Sequence, residues 1–431
     1  MISVSSLTDN QALDSYPKLV LFDFDLGGHH GSYIQHLIEY WYKQHFPGSL
    51  EIVVRPEFFD LHTDPVELAS HYQSSNLKFT AITQDEAYSI DQGQSSFDRF
   101  IRKFKRWELF RKYATYLGAN HALFLYFDSC ELPLAFGAKA PCPFSGIYFR
   151  PTFHYREFPR YHPSGKERIQ QIRERIILNR ILKNPQLKTI FCLDPFAVKH
   201  LEQMSGSVKV TYLPDPVQLK NTPSITPEQL QQRLEIQSNR KIFLLFGALD
   251  GRKGIDQLLE AVALLSNEVC TKICLVLAGG THPNEQARIR DQIGKTCANK
   301  SVQIVEDYRF IPEAEVPAYF QLADVVLAPY QRHVGMSGIL LLAAAAGKPV
   351  LSSNYGLMGE LVRRYQLGIA IDSSSSEGIA KALSCSLNEA AETWGDRAQM
   401  KRFVEQNSVE QYTRTIFQHL YPAFYCTGEE S

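Results

Sequence analysis

No apolar run in these 431 residues approaches the roughly 20 consecutive residues that a membrane-spanning helix needs. The first residues, Met-Ile-Ser-Val-Ser-Ser, lack the basic stretch and apolar core of a secretion signal. Both absences set a cytoplasmic location as the expectation. Charge of one sign is not in excess either. Lys and Arg number 45 against 46 Asp and Glu, a net of −1, which gives no reason to expect nucleic-acid binding. Cysteine is sparse and scattered: the eight thiols form no paired spacing, and Cys192, Cys270 and Cys274 sit in apolar contexts. Reduced structural thiols are expected rather than a zinc site or a disulfide framework. Short internal repeats are missing, and low complexity is confined to Ser373 to Ser376. What remains is the composition of an ordinary globular enzyme, 44% hydrophobic and 21% charged, long enough for two domains.

Apolar strands alternate with helical patterns along the whole chain. Lys18 to Leu26, Glu51 to Val54, Ala122 to Phe127, Ser145 to Phe149, Thr189 to Cys192 and Val208 to Leu213 read as short buried strands of a first half. An amphipathic helix is expected from Tyr33 to Tyr42. Pro214, Pro216 and the polar stretch 220–227 mark a linker, and 228–239 reads as a helix into the second half, which alternates until about residue 385. Strands separated by helices imply a parallel sheet covered on both faces. The fold class is therefore α/β, with two doubly wound, Rossmann-like sheets. The domains expected are 1–215 and 216–405, with the final helix (Val409 to His419, within 406–431) returning to the first.

The richest stretch is 335–350, Gly-Met-Ser-Gly-Ile-Leu-Leu-Leu-Ala-Ala-Ala-Ala-Gly-Lys-Pro-Val. A small-residue turn (Gly335, Ser337, Gly338) opens into an apolar helix from Ile339, and Gly347 stops it. The N–H groups at such a turn can hold an anion, and small residues let a diphosphate approach. Five further motifs accompany it: Phe246-Gly-Ala-Leu-Asp-Gly-Arg-Lys253-Gly254, Ile273 to Gly280, Tyr308-Arg-Phe-Ile-Pro312, Ala323-Asp-Val-Val-Leu-Ala-Pro329-Tyr330, and Ser353-Asn-Tyr-Gly356 to Glu360. In this order they resemble the C-terminal half of a GT-B glycosyltransferase, closest to the retaining family 4 that uses nucleotide sugars.

That resemblance implies two domains facing a cleft, with the nucleotide sugar held by the second. It assigns diphosphate contact to Ser337, Gly338, Ile339 and Lys253, supplemented by Arg252, with Gly247 and Gly279 giving room and Phe310 beside the base. Family 4 enzymes carry two glutamates eight residues apart around the diphosphate turn; the matching positions here are Val334 and Leu342. Glu360, Glu306 and Asp250 are the candidate substitutes. In the first half, Gly27-Gly28-His29-His30-Gly31 resembles the glycine loop over diphosphate and acceptor, with His29 or His30 orienting a phosphate or hydroxyl. Asp128, at a strand end, is the leading side chain for the acceptor hydroxyl, followed by Arg150 and His154. Asp23 and Asp25 share one strand face as a metal pair would, but a structural role is the expectation, and no metal or other cofactor is assigned.

Residues 99–112 combine Phe100, Phe104 and Trp107 with Arg102, Lys103, Lys105 and Arg106, a pattern suited to an anionic membrane surface or to a packed helix with a solvated basic face. The function expected is transfer of a hexose, glucose first, from a UDP-sugar to an acceptor hydroxyl on a sugar, glycan or lipid-linked intermediate, without metal. Peripheral contact with the inner membrane face through 99–112 accompanies that expectation. A nucleotide-sugar epimerase or a phosphorylase of the same fold, or a sugar-nucleotide-binding protein without catalysis, stay open as alternatives.

Overall fold

Alternate residues of Lys18–Phe22 enter different cores: Val20 and Phe22 pack with Trp107 and Phe124, while Leu19 and Leu21 pack with Ile34 and Trp41. A strand buried on both faces in this way must lie inside a parallel sheet covered by two helical layers. The computed structural model describes residues 17–27, 30–72, 76–93, 95–216, 224–388 and 393–422. Two compact units emerge. The first holds 1–154, 164–214 and 409–431; the second holds 155–163 and 215–408.

The first unit carries a seven-stranded parallel sheet, β1 (Lys18–Phe22), β2 (Ser49–Val54), β3 (Leu77–Ala81), β4 (His121–Phe124), β5 (Phe144–Tyr148), β6 (Leu187–Cys192) and β7 (Lys209–Tyr212), in the order 3-2-1-4-5-6-7. The helix Val409–Leu420 belongs to this unit: Tyr412, Ile416 and Phe417 lie in the same core as Tyr33, Trp41 and Phe46. β3 escapes the sequence pattern because it is an edge strand, fully burying only Leu77. β1 and β4 stop short of the expected Leu26 and Phe127. Beyond Phe22 the chain leaves the ladder, and Phe127–Ser129 winds into a 3₁₀ turn.

The second unit carries six parallel strands, β8 (Lys241–Phe246), β9 (Ile273–Ala278), β10 (Gln303–Asp307), β11 (Val325–Ala328), β12 (Val350–Ser353) and β13 (Gly368–Ile371), in the order 10-9-8-11-12-13. Phe243, Leu245, Leu275 and Leu277 anchor one of its cores with Leu258 and Val262 of the helix Ile255–Leu264. The helix expected over 228–239 ends at Arg233, where Leu234 caps it and Glu235 turns to φ +51°.

Candidate functional site

Strand order reverses between β8 and β11 in the second unit, the point at which doubly wound sheets bind ligands at their carboxyl ends. Leaving β8, the chain turns at Gly247 (φ +102°) and winds through Gly251–Lys253. Lys253 then folds back into the reversal. It is only 5% exposed, and its Nζ donates to the Phe246 carbonyl at 2.6 Å and to the Tyr330 hydroxyl at 2.5 Å. A Cβ on Gly247 would stand 3.1 Å from that Nζ, so the glycine leaves the lysine its path. Tyr330 leaves β11, and its oxygen lies 3.3 Å from Ser337 Oγ. One polar chain, Lys253–Tyr330–Ser337, thus links the two strand ends to the small-residue turn.

The loops around this chain are fixed to each other. Gly254 adopts φ +73°, and a Cβ there would meet the Pro329 carbonyl at 2.2 Å. The Gln331 backbone N–H donates to the Arg252 carbonyl (2.8 Å), while its Nε2 donates to the Pro329 and Ser373 carbonyls. At the turn itself the Gly335 N–H donates to the Tyr155 hydroxyl at 3.1 Å. Tyr155 is fully buried and belongs to 155–163, a segment of the second unit drawn from the first half of the sequence. Among the described residues, the amides of Gly338 and Ile339 find no acceptor at the start of the helix Ile339–Ala345. Two N–H groups and a buried ammonium-hydroxyl chain therefore meet at one turn, a donor set matched to an anion.

Arg252 is half-exposed, 3.6 Å from Asp250 and 5.9 Å from the Tyr330 ring, at the rim of the same loop. Phe310 is 83% exposed, while its neighbour Arg309 is bound to Glu315 and Tyr319. The glycine requirement at Gly279 differs from the expectation of making room for a ligand: a Cβ there would strike the Gly247 carbonyl at 2.2 Å. Gly280 faces open space. The candidate carboxylate substitutes are already engaged. Glu360 pairs with Arg363 and Arg364, Glu306 with Arg290, and Asp250 caps the Arg252 amide.

In the first unit the reversal falls between β1 and β4. Asp23, buried after β1, accepts from His30 Nδ1 at 2.6 Å, and His30 opens the helix His30–Lys43. Burial works against the imidazolium, but the Asp23 carboxylate outweighs it, with help from Asp25, and raises the His30 pKa above its ordinary 6.5. His30 stacks on Phe149 (6.3 Å) and meets Tyr126 edge-on (5.9 Å). Asp128 Oδ2 accepts the Phe149 amide at 3.0 Å, and its other oxygen is 4.0 Å from the half-exposed Arg150, which lies over the Tyr126 ring. Burial, and then the charge of Glu131, push the Asp128 carboxyl up to about 7. His30, Asp128 and Arg150 are thus brought together, on an aromatic bed of Tyr126 and Phe149 that the sequence did not single out. Gly27 is exposed with open space around it, and His62 pins this loop by bonding the Leu26 carbonyl at 3.0 Å. Gly28 and His29 lie outside the described residues.

One expectation is corrected, and two others gain structural detail. His154 does not line an accessible site: it is buried against Asp194, 3.1 Å away, and beside His200. Asp23 and Asp25, for which a structural role was the expectation, have separate partners: Asp25 binds Arg106 through two 2.9 Å bonds while Asp23 holds His30, and among the described residues no His, Cys, Asp and Glu group is arranged for a metal. Several cations of the helix Ser96–Tyr116 have partners within the fold. Trp107 is core, Lys103 binds the Asp128 carbonyl and Glu131, Lys105 the Ser89 carbonyl, and Arg102 the Gly93 carbonyl. No helix among the described residues is long and apolar enough to cross a membrane.

Residues 227–406 match the family described as glycosyl transferases group 1. A GDP-mannose-dependent alpha-(1-6)-phosphatidylinositol monomannoside mannosyltransferase of Mycobacterium tuberculosis is 27% identical over 165 residues, 36% of this chain and 40% of that protein. The match thus spans two-fifths of the relative's length. Among solved structures, sucrose-phosphate synthase from Thermosynechococcus elongatus superimposes with a TM-score of 0.69 at 18% identity, covering 96% of this chain and 100% of that one. Anabaena HepE in complex with UDP-glucose gives 0.64 at 14% identity, covering 94% and 100%. The chain therefore has the GT-B fold, and within it residues 227–406 match the glycosyl transferases group 1 family.

Proposed function

We propose that this protein transfers a hexose from a UDP-sugar, UDP-glucose first, to the hydroxyl of a sugar or glycan acceptor, free or lipid-linked. The observation that carries the reading is the chain Lys253–Tyr330–Ser337 ending at the Gly338 and Ile339 amides. As the glycosidic bond breaks, negative charge collects on the departing diphosphate. Prealigned donors at that position lower the barrier without reorganising, and this is commonly the largest catalytic contribution. Arg252 adds a second cation at the rim, and the exposed Phe310 ring offers a face to the base.

The first unit supplies the acceptor chemistry in this reading. Asp128, with its carboxyl pushed up to about 7, suits a base that takes a hydroxyl proton near neutral pH. Arg150 and the His30 cation orient the acceptor. The donor set is organic throughout, so transfer is expected to survive EDTA; loss with EDTA and recovery with manganese would end that part of the proposal.

Calorimetry with UDP, GDP, UDP-glucose and GDP-mannose tests the assignment. The mannosyltransferase relative is GDP-mannose-dependent, so GDP is the informative competitor. Tighter binding of UDP than of GDP, with UDP release in the presence of sugar acceptors, is expected. GDP preference would transfer the proposal to a mannosyl donor. Binding without acceptor-dependent UDP release would favour a non-catalytic role, and conversion of the sugar without any acceptor would favour an epimerase.

A further inference from the structure

The helix Gly165–Ile181 is built with the wrong residues facing water. Its inner face holds Gln171, Glu174, Leu178 and Ile181 against the first unit. Outward, at helical spacing, stand Ile169, Ile172 and Ile176, which are 70%, 53% and 55% exposed. Among the described residues, nothing in the unit covers them. The cations beside them are ordered too. Steps of seven residues place Lys166, Arg173 and Arg180 along one flank of the isoleucine stripe, and Arg168 and Arg175 along the other. All five are exposed, and none of their side chains bonds or ion-pairs with another described residue. The two acids of the helix are occupied elsewhere. Glu167 accepts the Ser164 amide at 2.6 Å, and Glu174 turns inward to Tyr148 (2.7 Å) and Thr152 (2.9 Å).

We infer that this face docks on an anionic lipid surface. An aliphatic stripe bordered on both sides by unpaired cations, with no free carboxylate, is what a helix lying in the plane of a bilayer interface presents. The isoleucines would enter the acyl boundary while the long basic side chains reach outward to the headgroups. A protein partner fits less well, because protein hot spots favour aromatic anchors over a narrow row of isoleucines. The contrast with Ser96–Tyr116 is one of bookkeeping: that helix spends its cations inside the fold, and this one keeps them. The inference does not rest on the transferase reading, since vesicle binding needs neither donor nor acceptor.

Sedimentation of the full chain with phosphatidylcholine vesicles, with and without phosphatidylglycerol, tests it. Wild type should bind only the anionic vesicles, and more weakly as salt rises. Combined Arg173→Gln, Arg175→Gln and Arg180→Gln should lower partition at least tenfold, with roughly fivefold per cation as the additive limit. Separately, combined Ile169→Ser, Ile172→Ser and Ile176→Ser should lower it comparably. Every altered side chain is exposed, and an unchanged melting temperature verifies that folding is intact. Failure of wild type to bind anionic vesicles at low salt overturns the inference, as does wild-type binding by both variants. A dimer in sedimentation velocity that the serine variant abolishes would assign the face to a second copy and overturn it equally.

Discussion

The Lys253 ammonium and the Tyr330 phenol meet at 2.5 Å across the point where the second sheet reverses its strand order. Neither side chain lies on a strand, and 77 residues separate them. Their contact turns two loop ends into one preorganised donor that reaches Ser337. Two of the three ammonium protons are directed to Phe246 and Tyr330, which fixes where the charge sits.

Lys253→Ala should weaken UDP binding by roughly 1.5–3 kcal/mol, the scale of hydrogen bonds to a charged group. Tyr330→Phe should cost less, about 0.5–1.5 kcal/mol, because the ammonium stays and only its alignment is lost. Calorimetry on folded variants reads both. Wild-type affinity in Lys253→Ala would remove the lysine from the phosphate site.

Phe310→Ala separates binding from stability. The ring is 83% exposed, so unfolding free energy should change by no more than about 0.5 kcal/mol. Nucleotide affinity should fall by about 0.5–1.5 kcal/mol if the ring packs on the base. Equal affinities of variant and wild type would place the base elsewhere.

Asp128 and His30 of the first unit give a signed pH dependence. Asp128 titrates at about 7 in the fold, above its unfolded value near 4, so the folded chain holds a proton through that window. Stability therefore declines as pH rises from about 4 through 7. The raised His30 acts in the same direction: its pairing with Asp23 contributes fully below about 6.5 and is lost as pH rises through the folded pKa. Asp128→Asn should thus stabilise the protein at pH 8, on the order of 2 kcal/mol, and little at pH 4. Transfer should fall by about 100-fold or more in the same variant. Denaturant melts at both pH values and an NMR titration of His30 test the pair of statements; a His30 pKa below 6.5 would contradict the Asp23 assignment.

Arg106→Glu should destabilise the first unit by about 1–3 kcal/mol, since it removes two 2.9 Å bonds to Asp25 and places like charges together. Vesicle binding by the folded fraction should be unchanged. Loss of vesicle binding at unchanged stability would restore the 99–112 stretch as a membrane surface.

Periodicity and strand-ending glycines made the two parallel sheets legible, because each buried strand is a short apolar run bounded by turn residues. β3 was not, since an edge strand with one buried residue carries no such run. At the proposed site, the turns drew attention to Lys253, Ser337 and Gly338, and a strand end to Asp128. Tyr330 closes one of the motifs but drew no role, and Tyr126 and Phe149 drew none either, because an aromatic residue after a strand looks the same whether it plugs a core or lines a cleft. Basic helices show the limit most clearly. Composition drew attention to 99–112, yet what separates it from 165–181 is whether each cation has found a partner, which is a property of tertiary contacts. His154 failed for the same reason: its neighbour Asp194 is 40 residues away and invisible to local pattern.

The segment 155–163 has a consequence for how the protein comes into being. The chain passes between its two units four times, at 154/155, 163/164, 214/215 and 408/409. The turn that bears Gly335 is completed by a tyrosine made 180 residues earlier on the ribosome. A peptide cut to 215–408 would lack Tyr155 and carry an open notch at Gly335 and Gly356, where the ring now packs. The second unit is therefore not a separable cassette: recombination or truncation that respects only the Pro214–Pro216 boundary would deliver that unit without Tyr155, its own keystone.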